Sequence, residues 1–497
     1  MSLAVVFTRA CVGIHAPLVT VEVHLTPGLP GFSIVGLAET AVKESRDRIR
    51  SALISNRFTF PARKIIVNLA PADLPKEGGC FDLPIAIGIL LASKQIHAQN
   101  IAQYELSGEL GLTGEIRSIK GALPFAIQSK SAGRLCVLPQ KNAYEASLAE
   151  HDIYLANHIS QVSNFFLGKC SLDKAKYQAP KFKPALKTLH DIKGQVHAKK
   201  ALVVAAAGGH HVLLSGPPGT GKTMLAERLN SLLPPPSQQE LLQIASLKSV
   251  YSKRFSSQWQ ERPFRRPHHS ASSPALVGGG NPPKPGEISL AHCGVLFLDE
   301  LPEFQRGVLE ALREPLEFGE VTISRAKQQL TFPARFQLIA AMNPCPCGYL
   351  GDSEIACRCT PNQISNYQRK ISGPLLDRID LHVGVLRLPF DTMLKEEKQS
   401  SLENLYVSID QARERQMKRQ KQLNAHVSQK ALMNHCQLSR DLATFYFESC
   451  EKLKLSMRVT VKLLKVARTI ADLQDVDVVK QAHLEQALSY RYQEITF

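Results

Sequence analysis

Hydrophobic and polar positions along the chain fall into stretches with different rhythms. Up to about residue 164, strand-like and helix-like pieces alternate. Residues 1–10 predict a strand, 19–25 alternate apolar and polar as a half-buried strand, and 64–69 form a buried-type strand. Residues 38–56 have helical spacing, with Glu39, Lys43, Arg46 and Arg50 on one side, and 82–93 predict an apolar helix. Residues 106–119, punctuated by Gly108, Gly111 and Gly114, predict strands joined by tight turns. Residues 167–187 are lysine-rich, carry Pro180 and Pro184, lack apolar periodicity and predict a linker. From about Leu189 to Pro389 strands alternate with helices, the signature of a parallel sheet. The rest is helical: Leu463, Val466, Ala467 and Ile470 give i, i+3, i+4, i+7 spacing, and 482–488 give another helix. The predicted organisation is an α/β domain over 1–165, a linker over 166–188, a second α/β domain over 189–390 and a helical domain over 391–497.

Composition narrows the class. The chain has 497 residues, 44% hydrophobic and 21% charged, which excludes a mainly disordered protein. No apolar run reaches the ~18–20 residues needed to cross a bilayer, so no membrane span is expected. The opening residues lack the layout of a signal peptide. Eleven cysteines, four of them crowded into one segment, point to a reducing cytoplasm and one metal site rather than a disulfide scaffold. The formal charge of +16 admits nucleic acid, anionic lipid or nucleotide phosphates as partners, or no polymer at all.

The chemistry is concentrated in the second α/β domain. Gly216-Pro217-Pro218-Gly219-Thr220-Gly221-Lys222-Thr223 is a complete G-x-x-x-x-G-K-[ST] loop, preceded by a strand over 211–215 and followed by a helix over 224–233. Its glycines let backbone N–H groups turn onto the phosphates of ATP at the positive end of the helix dipole. Lys222 can reach the β- and γ-phosphates, and the Thr223 hydroxyl can ligate Mg²⁺. Gly294-Val-Leu-Phe-Leu-Asp299-Glu300 adds an apolar strand with an acidic pair at its carboxyl end. Asp299 would hold Mg²⁺ and Glu300 would polarise the attacking water. A third strand, 336–342, ends in Asn343, which can position that water between the acidic pair and the γ-phosphate.

This order of motifs, with a helical lid behind it, resembles the AAA+ ATPases. The finer sequence is similar to their magnesium-chelatase-like group: Asp191-Ile-Lys-Gly-Gln195, Arg266-Pro-His-His-Ser270, Asn343-Pro-Cys-Pro-Cys-Gly348 and Ser372-Gly-Pro-Leu-Leu-Asp-Arg-Ile-Asp380. Taken over the whole chain, the resemblance is to the ComM/YifB family of hexameric motors that drive DNA branch migration during natural transformation. It implies an AAA+ P-loop core with a parallel sheet, a ring of like subunits, and single-stranded and branched DNA as the partner. It also implies that Arg378 is an arginine finger for a neighbouring subunit's ATP and that Arg458 is the lid arginine that meets the γ-phosphate. The plainer alternative for Arg378 is an ion pair with Asp377 or Asp380. The rival functions are the motor subunit of a metal chelatase and a nucleotide-gated scaffold.

Three further features carry expectations. Cys345, Cys347, Cys357 and Cys359 can surround a structural Zn²⁺ with four thiolates, or can be two turns that merely tolerate cysteine. Pro75-Lys-Glu-Gly-Gly-Cys80-Phe-Asp and Gly108-Glu-Leu-Gly-Leu-Thr-Gly-Glu115 resemble the Lon protease domain, which implies a ribosomal-S5-domain-2-like fold for the first 165 residues. Cys80 falls on or beside the serine position of that family and its lysine is missing, which favours a non-catalytic scaffold or DNA-docking domain over a Cys80 nucleophile. Lys284, in an irregular Gly/Pro-rich loop over 278–286, and Arg325 and Lys327, in the turn between two strand-like runs, are the candidate DNA contacts. Either loop can equally be a solvated basic tip.

Overall fold

Alternation produces a half-buried strand because successive side chains point to opposite faces of a sheet. The first sheet opens with β1 (Ser2–Arg9) and β2 (Leu18–Thr26); on β2, Val19, Val21, Val23 and Leu25 are buried while the residues between them are partly exposed. The structure is a computed structural model and describes residues 2–36, 44–177, 188–252, 255, 260–280, 283–325, 328–389 and 402–492. β3 (Gly31–Val35), β4 (Lys64–Ala70), β5 (Tyr104–Leu106), β6 (Leu135–Pro139), β7 (Ile153–Ala156) and β8 (Asp173–Lys174) complete a mixed sheet in the order β8-β7-β6-β5-β1-β2-β4-β3.

Helix α1 (Ser45–Ser55) covers part of the predicted helix, whose first residues lie outside the described ones. Helix α2 (Asp82–Ala92) is apolar all round and is therefore buried, packed against β1 and β2. At Gly88 a Cβ would stand 2.6 Å from Val23 Cγ2, so the missing side chain is what lets helix and strand approach. Asp82, at the start of α2, is buried and paired with Arg48 of α1 at 2.8 Å. Residues 166–177 of the expected linker belong to this unit: Leu172 is buried and Asp173–Lys174 pairs with β7, while residues 178–187 lie outside the described ones.

The chain divides into two compact units, Met1–Lys181 with Ser237–Gln260, and Phe182–Pro236 with Glu261–Phe497. The helix Gln238–Tyr251 therefore joins the first unit, although it sits within the second α/β stretch of the sequence. Its Ala245 is fully buried against Ala122, Leu123 and Ala126 of α3 (Ala122–Ser131), with Leu241 and Leu242 alongside. Gly121 N–H also donates to the Ser249 carbonyl at 3.0 Å.

In the second unit β9 (Val212–Ser215), β10 (Phe264–Arg265), β11 (Val295–Leu298), β12 (Gln337–Met342) and β13 (Leu381–Gly384) form an all-parallel sheet in the order β10-β11-β12-β9-β13. β11 is buried along its whole length, as a continuous apolar run covered on both faces must be. Helix α4 (Val196–Gly208) and helix α5 (Lys222–Leu232) flank β9. Leu463, Leu464 and Ala467 of helix α6 (Met457–Leu473) share one hydrophobic core with Ala201, Leu202 and Ala205 of α4 and with Val212 and Leu214 of β9. The described helices beyond residue 391 are thus seated on the second sheet's core.

The described ends of the segment 278–286 are paired, although its composition predicts no regular element. Gly278–Gly279 pairs antiparallel with Lys284–Pro285, and at Gly286 a Cβ would lie 2.3 Å from the Leu276 carbonyl oxygen. Glycine here serves close backbone approach. Glu320–Arg325 and Gln328–Pro333 form the predicted hairpin, with Val321 opposite Phe332. Lys284 is exposed, Arg325 closes its strand, and Lys327 lies outside the described residues. Among the described residues no helix is long and apolar enough to cross a membrane.

Candidate nucleotide-binding site

The phosphate loop leaves the carboxyl end of β9 and enters α5 at Lys222, at the sheet end where open α/β sheets bind ligands. At Gly216 a Cβ would meet the Val385 carbonyl oxygen at 2.1 Å, and Gly221 has φ +88°, so neither position accepts another residue without strain. Lys222 Nζ donates to the carbonyls of Gly216 (2.6 Å) and Pro217 (2.7 Å) and to Asn343 Oδ1 (3.1 Å). Thr223 Oγ1 donates to Asp299 Oδ2 at 3.1 Å. The loop, the acidic pair and the Asn-tipped strand therefore meet because β9, β11 and β12 are neighbours in register.

Glu300 follows in the left-handed region at φ +53°, an uncommon conformation for a non-glycine residue. Two groups with no role assigned from the sequence complete this end. Arg266 pairs with Asp299 at 2.7 Å, and His269 Nδ1 lies 3.2 Å from Glu300 Oε2. Both follow β10, which pairs parallel with the Asp-Glu strand, and Arg266 also lies over the Phe297 ring at 5.2 Å. The readable signal was a basic segment directly after a short strand that neighbours an acidic one.

The four cysteines come together immediately after Asn343. Their sulfurs all lie within 4.8 Å of one another, with Cys345 to Cys347, Cys347 to Cys357 and Cys345 to Cys357 at 3.4, 3.6 and 3.7 Å. A tetrahedral Zn²⁺ with bonds of about 2.3 Å spaces its sulfurs about 3.8 Å apart, so the donor set fits a closed thiolate site. The same loop leans on the phosphate loop: a Cβ at Gly348 would stand 2.7 Å from Pro218 Cδ.

Arg378 and Arg458 converge elsewhere in the unit. Arg378 donates to the carbonyls of Arg313 (3.1 Å) and Pro374 (2.8 Å) and pairs with Glu317, which Arg458 also meets at 3.3 Å. The partner of Arg378 is thus Glu317, and Asp380 faces Lys462 and His211 instead. Both arginines line a cavity of ≈ 690 Å³ with Glu317, Arg335 and Lys465, and its described lining includes no residue of 216–223.

In the first unit, burial pushes the Cys80 thiol up, with Cys11 and Asp82 adding to the effect, and its sulfur donates to the Glu77 carbonyl at 3.5 Å. A thiol held protonated is a poor nucleophile.

This geometry defines a P-loop ATPase, and comparison with known proteins places it among the magnesium-chelatase-like AAA+ ATPases. The family model "Magnesium chelatase, subunit ChlI" matches residues 188–393, "Subunit ChlI of Mg-chelatase" matches 21–142, and "Magnesium chelatase, subunit ChlI C-terminal" matches 399–491. Within that group the chain belongs to the ComM/YifB family. It is 50% identical to Competence protein ComM of Haemophilus influenzae, over 99% of this chain and 98% of that protein. It is 49% identical to the uncharacterized protein YifB of Salmonella typhimurium, over 99% of this chain and 97% of that one, and 36% identical to the uncharacterized protein Mb2921c of Mycobacterium bovis, over 99% of each.

Burial lowers the Lys222 ammonium to about 8, with Asp299 opposing the shift. A triphosphate favours the charged form, so above about pH 8 binding must take up a proton. Nucleotide affinity should then fall with rising pH, by roughly tenfold per unit at the limit, and level off below that range. Calorimetric titration across about two pH units measures this, and Lys222→Arg should remove the dependence while keeping a positive charge.

Proposed function

We propose that the chain is an ATP-hydrolysing motor that assembles into a hexameric ring in the cytoplasm. On this reading it binds single-stranded and branched DNA and drives helicase-type branch migration of recombination junctions in natural transformation. The observation that carries the hydrolytic part is the meeting of Lys222, Thr223, Asp299 and Asn343 at one sheet end. The DNA part is supported by 50% identity along the full length to a protein named for competence, and by the formal charge of +16. In this reading residues 216–223 cradle the phosphates of ATP, and Thr223 and Asp299 hold Mg²⁺, which supplies charge neutralisation to the transferring phosphoryl group. Glu300 polarises the attacking water and Asn343 positions it. Arg378 and Arg458, side by side on Glu317, serve a triphosphate held by a neighbouring chain. Lys284, Arg325 and Lys327 meet DNA phosphates, and the four cysteines hold one structural Zn²⁺ beside the phosphate loop.

The family models named for magnesium chelatase support a second reading, a chelatase motor acting on a tetrapyrrole-holding partner. DNA separates the two. Branched DNA should raise ATP turnover several-fold and be migrated, and a DNA-insensitive ATPase that leaves synthetic junctions unmoved would remove the DNA reading. Glu300→Gln should bind ATP normally, stall hydrolysis and remain on the junction.

Supply of an arginine in trans is worth ~10³–10⁵ in rate in phosphoryl-transfer systems. Arg378→Ala should therefore bind ATP, assemble and hydrolyse poorly, and Lys222→Ala should fail at binding. Mixing the two chains should restore part of the ATPase, because a Lys222→Ala chain still offers its arginine to an ATP-loaded Arg378→Ala neighbour. No recovery in rings shown to be mixed would remove the trans role. Elemental analysis should find about one zinc per chain, lost together with part of the ATP affinity when Cys345 and Cys347 become serine.

A further inference from the structure

Next to the two arginines lies a second charged pair, Lys462 and Asp380, both largely buried. Helix α6 carries Arg458 in its first turn and Lys462 one turn later, on the same face. Lys462 Nζ donates to the carbonyl oxygen of Arg378 at 2.7 Å and to Asp380 Oδ1 at 2.7 Å. The two side chains are 20% and 5% exposed. The other Asp380 oxygen accepts from His211 N–H at 2.9 Å, and the N–H groups of Asp380 and Leu381 both donate to the His211 carbonyl, at 3.2 and 3.0 Å.

His211 immediately precedes β9, whose far end is the phosphate loop. Its Nδ1 accepts from Leu338 N–H at 3.0 Å, on the strand that leads to Asn343. One ammonium thus ties the lid helix to the backbone of Arg378 and, through Asp380, to the roots of the two central strands. Although burial alone would raise it, the Asp380 carboxyl is held well below the usual carboxylate range, chiefly by Lys462 and then by His210. It therefore stays charged and keeps the tie.

We infer that Lys462 is a positioning residue: braced on Asp380, it holds Arg378 and Arg458 as one preset pair for the triphosphate of a neighbouring chain. This rests on the trans role proposed for Arg378. The reasons are geometric. Lys462 contacts the backbone of Arg378 itself and shares a helix face with Arg458, so any shift of α6 against the 378–380 segment moves one arginine relative to the other. A displacement of about 1 Å at groups that must meet a transition state costs on the order of 100-fold in rate. A buried ion pair adds little to stability over an apolar pair of similar volume, so stability alone is a weak reason for this one.

The test is complementation in mixed rings of the full-length chain. Lys462→Met alone should bind ATP within about twofold of the parent and assemble, with kcat lowered at least tenfold and KM little changed. Mixed with Lys222→Ala, it should regain activity, because that neighbour presents an intact arginine pair. Mixed with Arg378→Ala, it should regain none, because neither chain has a competent pair to offer. Lys462→Arg should recover part of kcat. Recovery with Arg378→Ala would place the defect in the chain's own nucleotide site and overturn the inference, as would a fully active Lys462→Met. If Lys462→Met fails to fold or assemble, the charge-balanced Lys462→Met/Asp380→Asn chain is read by the same mixtures. Mixing Arg378→Ala with Lys222→Ala is the control: its failure sinks the trans reading itself, whereas its success beside a failure of Lys462→Met to complement Lys222→Ala sinks only the role of Lys462.

Discussion

The nucleotide end of the second unit depends on where one partly buried ammonium is held. Lys222 is the first residue of α5, and its side chain turns back onto the carbonyls of Gly216 and Pro217 and onto Asn343. Those contacts require the loop to fold tightly over the end of β9, which works only with Gly216 against the Val385 carbonyl and Gly221 in a left-handed turn. They also require β12 to lie beside β9 in parallel register, since Asn343 is the first residue beyond that strand. Burial of the lysine lowers its affinity for a proton, while the carbonyl oxygens that accept from it favour the charged form that a triphosphate needs.

Distance along the chain decided what could be read from the sequence. The phosphate loop and the Asp299–Glu300 strand were legible because each is a contiguous strand with its ligand groups at one end, and residue spacing alone specifies that arrangement. Arg266 and His269 received no role, since their place beside Asp299 and Glu300 comes from the pairing of β10 with β11 across some thirty residues of intervening chain. The plainer alternative for Arg378, an ion pair with Asp377 or Asp380, fails for a related reason. Sequence neighbours are cheap partners to imagine, but Asp380 points to His211 and Lys462, and the guanidinium reaches Glu317, some sixty residues earlier in the chain. The helix Gln238–Tyr251 shows the same limit at the level of a whole element: its apolar positions announce a buried face and say nothing of which unit buries it.

The four-cysteine loop adds a constraint of another kind. It begins directly after Asn343, so whatever fixes the sulfurs also fixes the end of β12. Through Gly348 it touches Pro218, and no side chain larger than hydrogen fits between them. A loop of this length has no core of its own to order it, and cross-linking by a metal is the usual remedy in small or irregular segments. Placed here, such a cross-link would stiffen the phosphate loop from outside while Lys222 ties it from within.

A single principle links the charged groups around the nucleotide site and the two arginines: each named group has an intrachain partner of opposite sign or high polarity. Asp299 has Arg266, Glu300 has His269, and the two arginines share Glu317. On the proposed reading, a metal-bound triphosphate and a neighbouring chain would take over these partners, so that binding exchanges one set of ion pairs for another. Exchange avoids leaving a partly buried charge uncompensated, which is the expensive alternative. On that reading hydrolysis would wait on assembly, with Glu317 giving up the arginines to a stronger anion on a neighbouring chain. Glu300 holds its carboxylate 3.2 Å from His269 with its own backbone in the left-handed region, so on that reading release from the histidine would free it for water.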